Sequence, residues 1–263
     1  MTETVELAQL ESSLRAVDAV GSVVHAVWAL AKAQLPRAEE VVREGAQYLD
    51  WIDAVVDRIA GPPREVGLGE PLTVVIGPER AFCGPLARST ADSIPRAGPI
   101  GLVGSRLSEV AMRDPAVRAR VVFALASASS VDELAETSAQ LAGAVLEHGA
   151  DARVDVVHLR GRGTHRVILL ATEREVRALE HELYSPVEVL LRAAVHESVT
   201  GRLRLALAET LLVELRARVL ATERARRAAR ERRDALEASW RIGQRDQVTR
   251  ELMELTTALL AVD

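Results

Sequence analysis

Apolar side chains recur at spacings of three and four residues along the N-terminal part of the chain. A narrow stripe with this period is typical of a helix that packs against another helix in a coiled coil. The stripe continues to about residue 60, so the pattern predicts one long helix over residues 2–60. Its first members are Leu7, Leu10, Leu14, Val17, Val20, Val24, Val27, Ala31 and Leu35.

Pro36 lies within this stripe. A proline inside a helix removes a backbone hydrogen bond and typically costs about 3 kcal/mol. The apolar spacing nevertheless resumes beyond it and reaches Leu49 and Ile52. We therefore expect a single helix with a local kink near Pro36, rather than two helices joined by a loop.

A segment rich in glycine and proline, residues 61–69, ends the helical pattern. Short runs of Val and Ile then alternate with stretches of helical character, which predicts a small Rossmann-like α/β domain with a largely parallel sheet. The predicted strands are Leu72–Ile76, Pro99–Val103, Val121–Leu125, Arg153–Leu159 and Val167–Ala171. The predicted helices are Pro85–Ile94, Gly104–Arg113 and Val131–Glu147.

The chain becomes helical again after Pro186, and no proline follows. The two terminal stripes are buried most simply against each other, which predicts an antiparallel coiled coil with the α/β domain inserted between its helices. We therefore expect three segments: residues 1–60, 61–185 and 186–263. The apolar face of the last segment comprises Leu190, Ala194, Leu203, Leu207, Leu211, Leu215, Val219, Leu236, Leu252, Leu255 and Leu259.

Composition supports this plan and narrows the possible partners. The chain is 48% apolar but only 3% aromatic, so its core is expected to consist of Leu, Val, Ile and Ala. A net charge of −5 gives no overall attraction to nucleic acid or to an anionic membrane. The apolar run Ala19–Ala31 is shorter than the roughly 20 residues that span a bilayer, and the acidic start Met1–Gln9 is unlike a signal peptide. We expect a cytoplasmic protein that reaches a membrane only through its partners.

The residues that usually carry chemistry are sparse or scattered. Cys83 is the only cysteine, so it forms neither a disulfide framework nor a cysteine-based zinc site. Gly77 and Gly84 are too few for a phosphate-binding loop, and no Gly-Lys-Ser/Thr ending follows them. The histidines show no metal-binding spacing: they are His25, His148, His158, His165, His181 and His196. We expect no catalytic, cofactor or metal site.

Three short stretches carry a resemblance to a known family. Residues 23–35 look, without gaps, like the stretch Ile-Thr-Lys-Ala-Met-x-Met-Val-Ala-Ala-x-Lys, whose Thr, Lys and first Met positions hold Val24, His25 and Val27 here. Arg80-Ala81-Phe82-Cys83-Gly84 matches Arg-Gly-Leu-Cys-Gly. Residues 248–255 match Ile-Thr-x-Glu-Leu-x-Glu-Ile. With the two-helix plan, these stretches resemble the gamma subunit of F-type ATP synthases. The sparse identities elsewhere and the short middle domain favour an alternative, N-type ATPase over the housekeeping enzyme.

The resemblance implies a non-catalytic rotor shaft, without a cofactor, at the centre of a rotary ATPase. Its implied partners are the alpha and beta subunits, the epsilon subunit and the c-ring, in a complex on the cytoplasmic face of the bacterial inner membrane. The family motif after the first strand places Arg80, Cys83 and Gly84 together. A buried turn that permits close packing is the simplest account of these three residues, because no base for a nucleophilic Cys83 is evident.

The C-terminal match implies specific contacts with the beta subunit. Its polar contact region corresponds to Gln244, Arg245, Thr249 and Glu251, with the family's Arg-Gln pair in reversed order here. Counting back without gaps places Glu214 on a family acid. The apolar end Met253–Val262 corresponds to the part that turns inside a sleeve of alpha and beta subunits.

A basic stretch in the last segment has two interpretations. It is either a solvated helix face with Glu/Arg pairs or, by the resemblance, a basic shaft face that works against acidic segments of beta. The stretch is Glu223–Arg233, and the arginines assigned to this face are Arg224, Arg226, Arg227 and Arg230.

A different class of protein also fits the predicted plan. The chain could be a free-standing adaptor whose coiled coil presents the α/β domain to a protein or RNA partner. The aromatic residues expected for stacking on nucleic-acid bases are absent from the basic stretch. An enzyme built on the α/β domain has no set of catalytic residues in its favour.

Overall fold

The computed structural model describes residues 2–60, 64–65, 70–149, 153–161, 163–170, 172–173 and 186–260. The two terminal helices are α1, Thr2–Ile59, and α6, Val187–Leu260. Helix α1 continues through Pro36 without interruption. The prediction of one N-terminal helix rather than two is therefore confirmed.

Replacing Pro36 by alanine is expected to leave the protein folded and either unchanged or more stable. Alanine restores the missing backbone donor, and the exposed position leaves room for the change. Thermal unfolding of Pro36→Ala should give a melting temperature at or above that of the wild type. The matched control Ala33→Pro places a new proline at an exposed position of the same helix and should lower it. A clear drop for Pro36→Ala would show that the proline is required.

The chain between the two helices forms a five-stranded sheet. Its strands are β2, Leu72–Ile76; β3, Ile100–Val103; β4, Val121–Leu125; β5, Val154–Arg160; and β6, Gly163–Leu170. They lie in the order β4-β3-β2-β5-β6, and all neighbours are parallel except β5 and β6. Two further short strands, β1 (Arg64–Glu65) and β7 (Thr172–Glu173), pair antiparallel with each other. The predicted largely parallel α/β sheet is confirmed.

The short strands β1 and β7 were not predicted, and two further elements of this region differ from the prediction. Strand β6 begins at Gly163 rather than Val167, because a tight turn at Gly161 (φ 60°) pairs the polar residues Thr164–Arg166 with β5. The short helix α4, Pro115–Arg118, was not predicted. Its sequence signal is Asp114 followed by proline, and the Asp114 carboxylate accepts the Ala116 N–H at 2.9 Å.

The remaining helices of the α/β region follow the predicted order. They are α2, Leu86–Ala91; α3, Ser105–Ala111; and α5, Leu134–Gly149, preceded by a 3₁₀ turn at Val131–Glu133. Strands β2 and β3 are buried on both faces, as parallel strands covered by helices are. The core cluster comprises Val75, Ile100, Leu102, Leu107, Ala111, Val117 and Val157.

The chain divides into two compact units, each of which contains part of both long helices. The first unit is Met1–Leu30 with Val219–Asp263, and the second is Ala31–Arg218. In the first, Gly243 of α6 faces Leu7 of α1, and Trp28 of α1 lies beside Glu223. The early residues of α1 therefore meet the late residues of α6, so the two helices are antiparallel.

The second unit shows the same antiparallel pairing and also contains the sheet. Gly201 of α6 faces Leu49, and Arg216 pairs with Glu39 at 2.7 Å. Near the end of α1, Ile52, Val56 and Leu191 form a buried cluster. The predicted antiparallel helix pair with an inserted α/β sheet is confirmed.

The composition of α1 also bears on membrane insertion. Within Leu7–Ile59 the helix is long and apolar enough to cross a membrane by length and composition alone. A helix that packs through an apolar stripe meets the same criterion, so composition by itself is weak evidence for a membrane span.

Candidate functional site

The loop that contains the family motif Arg80, Cys83 and Gly84 follows strand β2. It is hydrogen-bonded to helix α6. The backbone N–H groups of Glu79 and Arg80 donate to the two carboxylate oxygens of Glu214, at 2.9 and 3.0 Å. Glu214 is 2% exposed and also pairs with Arg218, which lies one turn further along α6. A carboxylate on α6 therefore accepts hydrogen bonds from two backbone N–H groups of the loop after β2.

Burial raises the pKa of Glu214, while the Arg218 guanidinium and the two N–H donors act in the opposite direction. Desolvation is thus the largest influence on this carboxyl group. The loss of hydration on burial is offset only as long as every donor remains in place. The contact consequently depends on close fit between the loop and the helix.

A second carboxylate, that of Glu79, links the loops that follow three neighbouring strands through hydrogen bonds. Glu79 follows β2 and accepts hydrogen bonds from the Ser105 N–H at 2.8 Å and from the Ser127 N–H at 2.7 Å. Ser105 follows β3, and Ser127 follows β4. Sequence reasoning singled out Glu214 through its family position but missed Glu79 and Arg218. The four-residue spacing of Glu214 and Arg218 was the available signal for that pair.

Cys83 lies in the turn that this network holds. Its side chain is 4% exposed, and the Sγ atom contacts the Arg80 carbonyl oxygen at 3.4 Å. Burial, and next the charge of Glu214, raise the pKa of the Cys83 thiol. A raised pKa leaves less thiolate at neutral pH, which is the opposite of what a nucleophile needs. The surroundings of Cys83 therefore suit a structural turn.

The same turn contains two residues in the left-handed region, Phe82 (φ 63°) and Gly84 (φ 61°). Glycine adopts this conformation freely, whereas phenylalanine does so at a cost. The Arg80 guanidinium bonds to the Ser129 hydroxyl at 2.9 Å. Arg80, Cys83 and Gly84 thus lie in one tightly turned loop.

A further contact between the sheet and α6 involves one of the scattered histidines. His158 of β5 is 3% exposed, and its Nε2 atom lies 2.7 Å from a Glu209 carboxylate oxygen. The other Glu209 oxygen pairs with Arg160 at 3.2 Å. No sequence spacing indicated this contact, because it joins two elements 51 residues apart. Among the described residues, no group of three or more His, Cys, Asp and Glu side chains is arranged to hold a metal ion.

The basic stretch lies on α6 in the first unit, where its arginines differ in their surroundings. Arg226 is half-buried, with its guanidinium 4.3 Å from the centre of the Trp28 ring. Arg224, Arg227 and Arg230 are exposed, and none of these three is in an ion pair within the described part of the chain. Of these four arginines, one is in a helix–helix contact and three face solvent.

The residues that the C-terminal match predicts as contacts all lie on the exposed surface of α6. These residues are Gln244, Arg245, Thr249 and Glu251. The Thr249 hydroxyl donates to the Arg245 carbonyl oxygen at 2.8 Å, and Gln247 donates to Glu251 at 2.9 Å. The structure thus places Arg245 and Thr249 one turn apart on a shared face, as their spacing predicts.

Apolar side chains on the same part of α6 are also open to solvent. Five of them are between 51% and 64% exposed. Exposed large apolar side chains, where they form a patch, are typical of an interaction site. The five exposed apolar residues are Ile242, Val248, Leu252, Met253 and Leu255. The side chains of residues 258–263, including Leu259, lie outside the described residues.

The fold is an antiparallel helix pair with an inserted α/β sheet, and the C-terminal part of α6 exposes polar and apolar side chains. This combination defines the class of a coiled-coil shaft that carries a small domain. A family model described as ATP synthase matches residues 6–262. The chain therefore belongs to the ATP synthase family, as the gamma subunit, which is the non-catalytic central-stalk subunit of the F-type enzyme.

Solved structures share the fold over most of the chain. A chain of the Euglena gracilis mitochondrial ATP synthase, in its OSCP/F1/c-ring structure, is 15% identical with a TM-score of 0.65, and the match covers 98% of this chain and 94% of that one. A chain in the rotor structure of the same enzyme is 16% identical with a TM-score of 0.57, covering 92% and 99%. A chain in the central stalk and c-ring of the Tetrahymena thermophila mitochondrial enzyme is 16% identical with a TM-score of 0.53, covering 77% and 99%. Comparison with curated proteins gives no match.

Proposed function

We propose that this gamma subunit couples ion movement through a c-ring to nucleotide chemistry in the beta subunits by turning inside a ring of alpha and beta subunits. The observation that carries this proposal is the exposed C-terminal end of α6, where polar and apolar side chains share one helix surface. Exposed apolar side chains beside polar ones are typical of a protein–protein interaction surface.

The three predicted segments have different parts in this function. Residues 1–60 and 186–263 form the shaft, and residues 61–185 form the domain that rests on the c-ring and the epsilon subunit. The chain is a peripheral component of the F1 part of a membrane ATP synthase. We place it on the cytoplasmic face of a bacterial inner membrane, in an N-type complex, and without direct insertion into the bilayer.

The coupling is conformational. An asymmetric shaft presents a different face to each of three beta subunits, and each face stabilises a different nucleotide affinity, so that rotation moves the affinities around the ring. Arg224, Arg227 and Arg230 face solvent and are available to acidic segments of beta. Exposed ion pairs contribute about 1 kcal/mol or less each, so such contacts break readily as the shaft turns.

Removing the polar contact with beta is expected to reduce coupling without unfolding the subunit. In Arg245→Ala with Glu251→Ala, the loss should be modest, because each exposed polar contact is commonly worth about 1 kcal/mol or less. The measurement is ATP-driven ion pumping per ATP hydrolysed in the assembled complex. A matched control is Glu237→Ala with Arg241→Ala, an ion pair at 3.3 Å on the same helix.

Unchanged pumping per ATP in the first variant would remove these residues from the proposed contact with beta. Failure of the wild-type chain to assemble with alpha and beta would instead favour the adaptor alternative.

A further inference from the structure

A cavity of about 310 Å³ lies between helices α1 and α6 in the first unit. Helix α6 has no buried side chain between Thr222 and Leu236, so this stretch adds no core to the helix pair. On the α1 side, a Cβ added at Gly21 would meet nothing within 4 Å, so the space beside this glycine is open. The cavity volume lies in the range of about 300–1,000 Å³ that small ligands occupy.

The charged side chains around this cavity are mostly basic. Arg226, Arg230 and Arg233 line it from α6, and their spacings of four and three residues place them on one helix face. Asp18 of α1 is the only acidic residue of the lining within the part of the chain that the structure describes, and it pairs with Arg233 at 3.2 Å. Three guanidinium groups thus meet a single carboxylate. Like charges at these spacings repel each other, and an anion between them would offset the repulsion.

Two of these arginines have N–H groups available for such an anion. The Arg226 guanidinium lies over the Trp28 ring, 4.3 Å from its centre. Stacking uses the face of the planar group, so the N–H donors at its edge remain free for hydrogen bonds. Neither Arg226 nor Arg230 forms an ion pair with a carboxylate of the described ranges.

The donor set indicates the class of anion. Guanidinium groups bind phosphate through paired hydrogen bonds to two of its oxygens, and these bonds are stronger than those between neutral groups. As far as the described residues show, the lining contains no Trp, Tyr or Phe on which a nucleotide base would stack. The lining therefore favours a free phosphate ion over a nucleotide.

We propose that this cavity binds an inorganic phosphate ion, orthophosphate or pyrophosphate, between the guanidinium groups of Arg226 and Arg230. Arg233 stays paired with Asp18. The inference goes beyond the proposed function, because it assigns a small ligand to the helix pair and concerns residues of this chain alone. Arg224 and Arg227 lie outside the lining, so they remain available to beta.

Isothermal titration calorimetry of the full chain tests the proposal, with sodium phosphate and sodium pyrophosphate as separate probes in chloride buffer of constant ionic strength. The wild type should bind both probes saturably, and pyrophosphate more tightly because it carries more charge. Arg230→Gln should weaken binding of both about tenfold, since it removes one set of charge-assisted hydrogen bonds. The matched control Arg232→Gln removes the same charge from an exposed position of α6 outside the lining, and it should bind nearly as the wild type does.

Arg226→Lys tests the geometry of the site separately from its charge. Lysine keeps the positive charge but lacks the planar pair of donors, so this variant should also bind phosphate more weakly than the wild type. Circular dichroism of each variant checks that the helices are retained.

Three results would overturn the proposal. They are the absence of saturable binding to the wild type at constant ionic strength, equal losses of affinity in Arg230→Gln and Arg232→Gln, and tighter binding of ADP than of pyrophosphate. The first two would remove the site, and the third would remove its assignment to a free ion. Rotation of the assembled complex, on which the proposed function is judged, depends on none of them.

Discussion

Replacing Gly104 by alanine is expected to lower the free energy of unfolding by about 3 kcal/mol or more. Gly104 joins β3 to α3 with φ 118°, a conformation that side chains with a Cβ rarely adopt. A Cβ there would lie 2.5 Å from the Gly77 carbonyl oxygen and 2.9 Å from that of Pro78. Both are backbone atoms of the loop after β2, so relief of the clash requires movement of the strand ends.

Denaturant unfolding measures this loss, and Gly143→Ala provides the matched control. Gly143 lies on the exposed side of α5, where an added Cβ would meet nothing within 4 Å. Alanine at a helix interior is favoured over glycine by roughly 0.5–1 kcal/mol, so this control should be more stable than the wild type. Equal stability of Gly104→Ala and the wild type would show that the loop after β2 is less constrained than its geometry indicates.

Replacing Glu214 by alanine is expected to cost about 3–5 kcal/mol, the usual effect of removing one partner of a buried ion pair. The change leaves the Arg218 guanidinium without this carboxylate and the N–H groups of Glu79 and Arg80 without an acceptor. The loss should be accompanied by faster hydrogen exchange in the loop 79–84, because the tie to α6 is broken. Denaturant unfolding and amide exchange of the full chain measure the two effects.

In the same experiment, Glu214→Gln removes the charge of the carboxylate but keeps nearly the same side-chain shape. The amide oxygen still accepts a backbone hydrogen bond, so this variant should lose clearly less stability than Glu214→Ala. A Glu214→Ala variant within about 0.5 kcal/mol of the wild type, with unchanged exchange, would show that the loop is held by packing alone.

Local patterns in the sequence predicted the strands that consist of continuous runs of apolar residues. Leu72–Ile76 and Val121–Leu125 were predicted with the bounds that the structure shows. Strand β6 was only partly predicted, because the polar segment Thr164–Arg166 lacks the apolar run that indicates a strand. The single helix through Pro36 was predicted because the stripe continues beyond the proline.

The contacts between distant parts of the chain could not be predicted from local patterns. The hydrogen bonds of Glu214 to the loop after β2, of His158 to Glu209 and of Trp28 to Glu223 all depend on the register between elements far apart in the sequence. Glu214 was noticed only because the C-terminal match could be counted back without gaps. Its partners required the packed structure.

For the C-terminal surface, the sequence match predicted positions but not contacts. It placed Gln244, Arg245, Thr249 and Glu251 on α6, and the structure shows that all four are exposed. Exposure identifies a surface that is free to meet a partner, but the partner's own groups determine which contacts form. The role of these residues therefore stays a prediction until the complex is assembled.

Single-molecule rotation tests the central claim most directly. The chain is assembled with alpha and beta subunits, the complex is fixed through beta, and a bead is attached to the α/β domain through Ser89→Cys, an exposed position on α2. With Cys83→Ser removing the native thiol, the bead reports only the motion of this subunit. Addition of ATP should produce stepwise rotation in one direction, with three main pauses in each turn. ATP hydrolysis by an assembled complex whose bead shows no directed rotation would contradict the assignment of this chain as the rotor shaft.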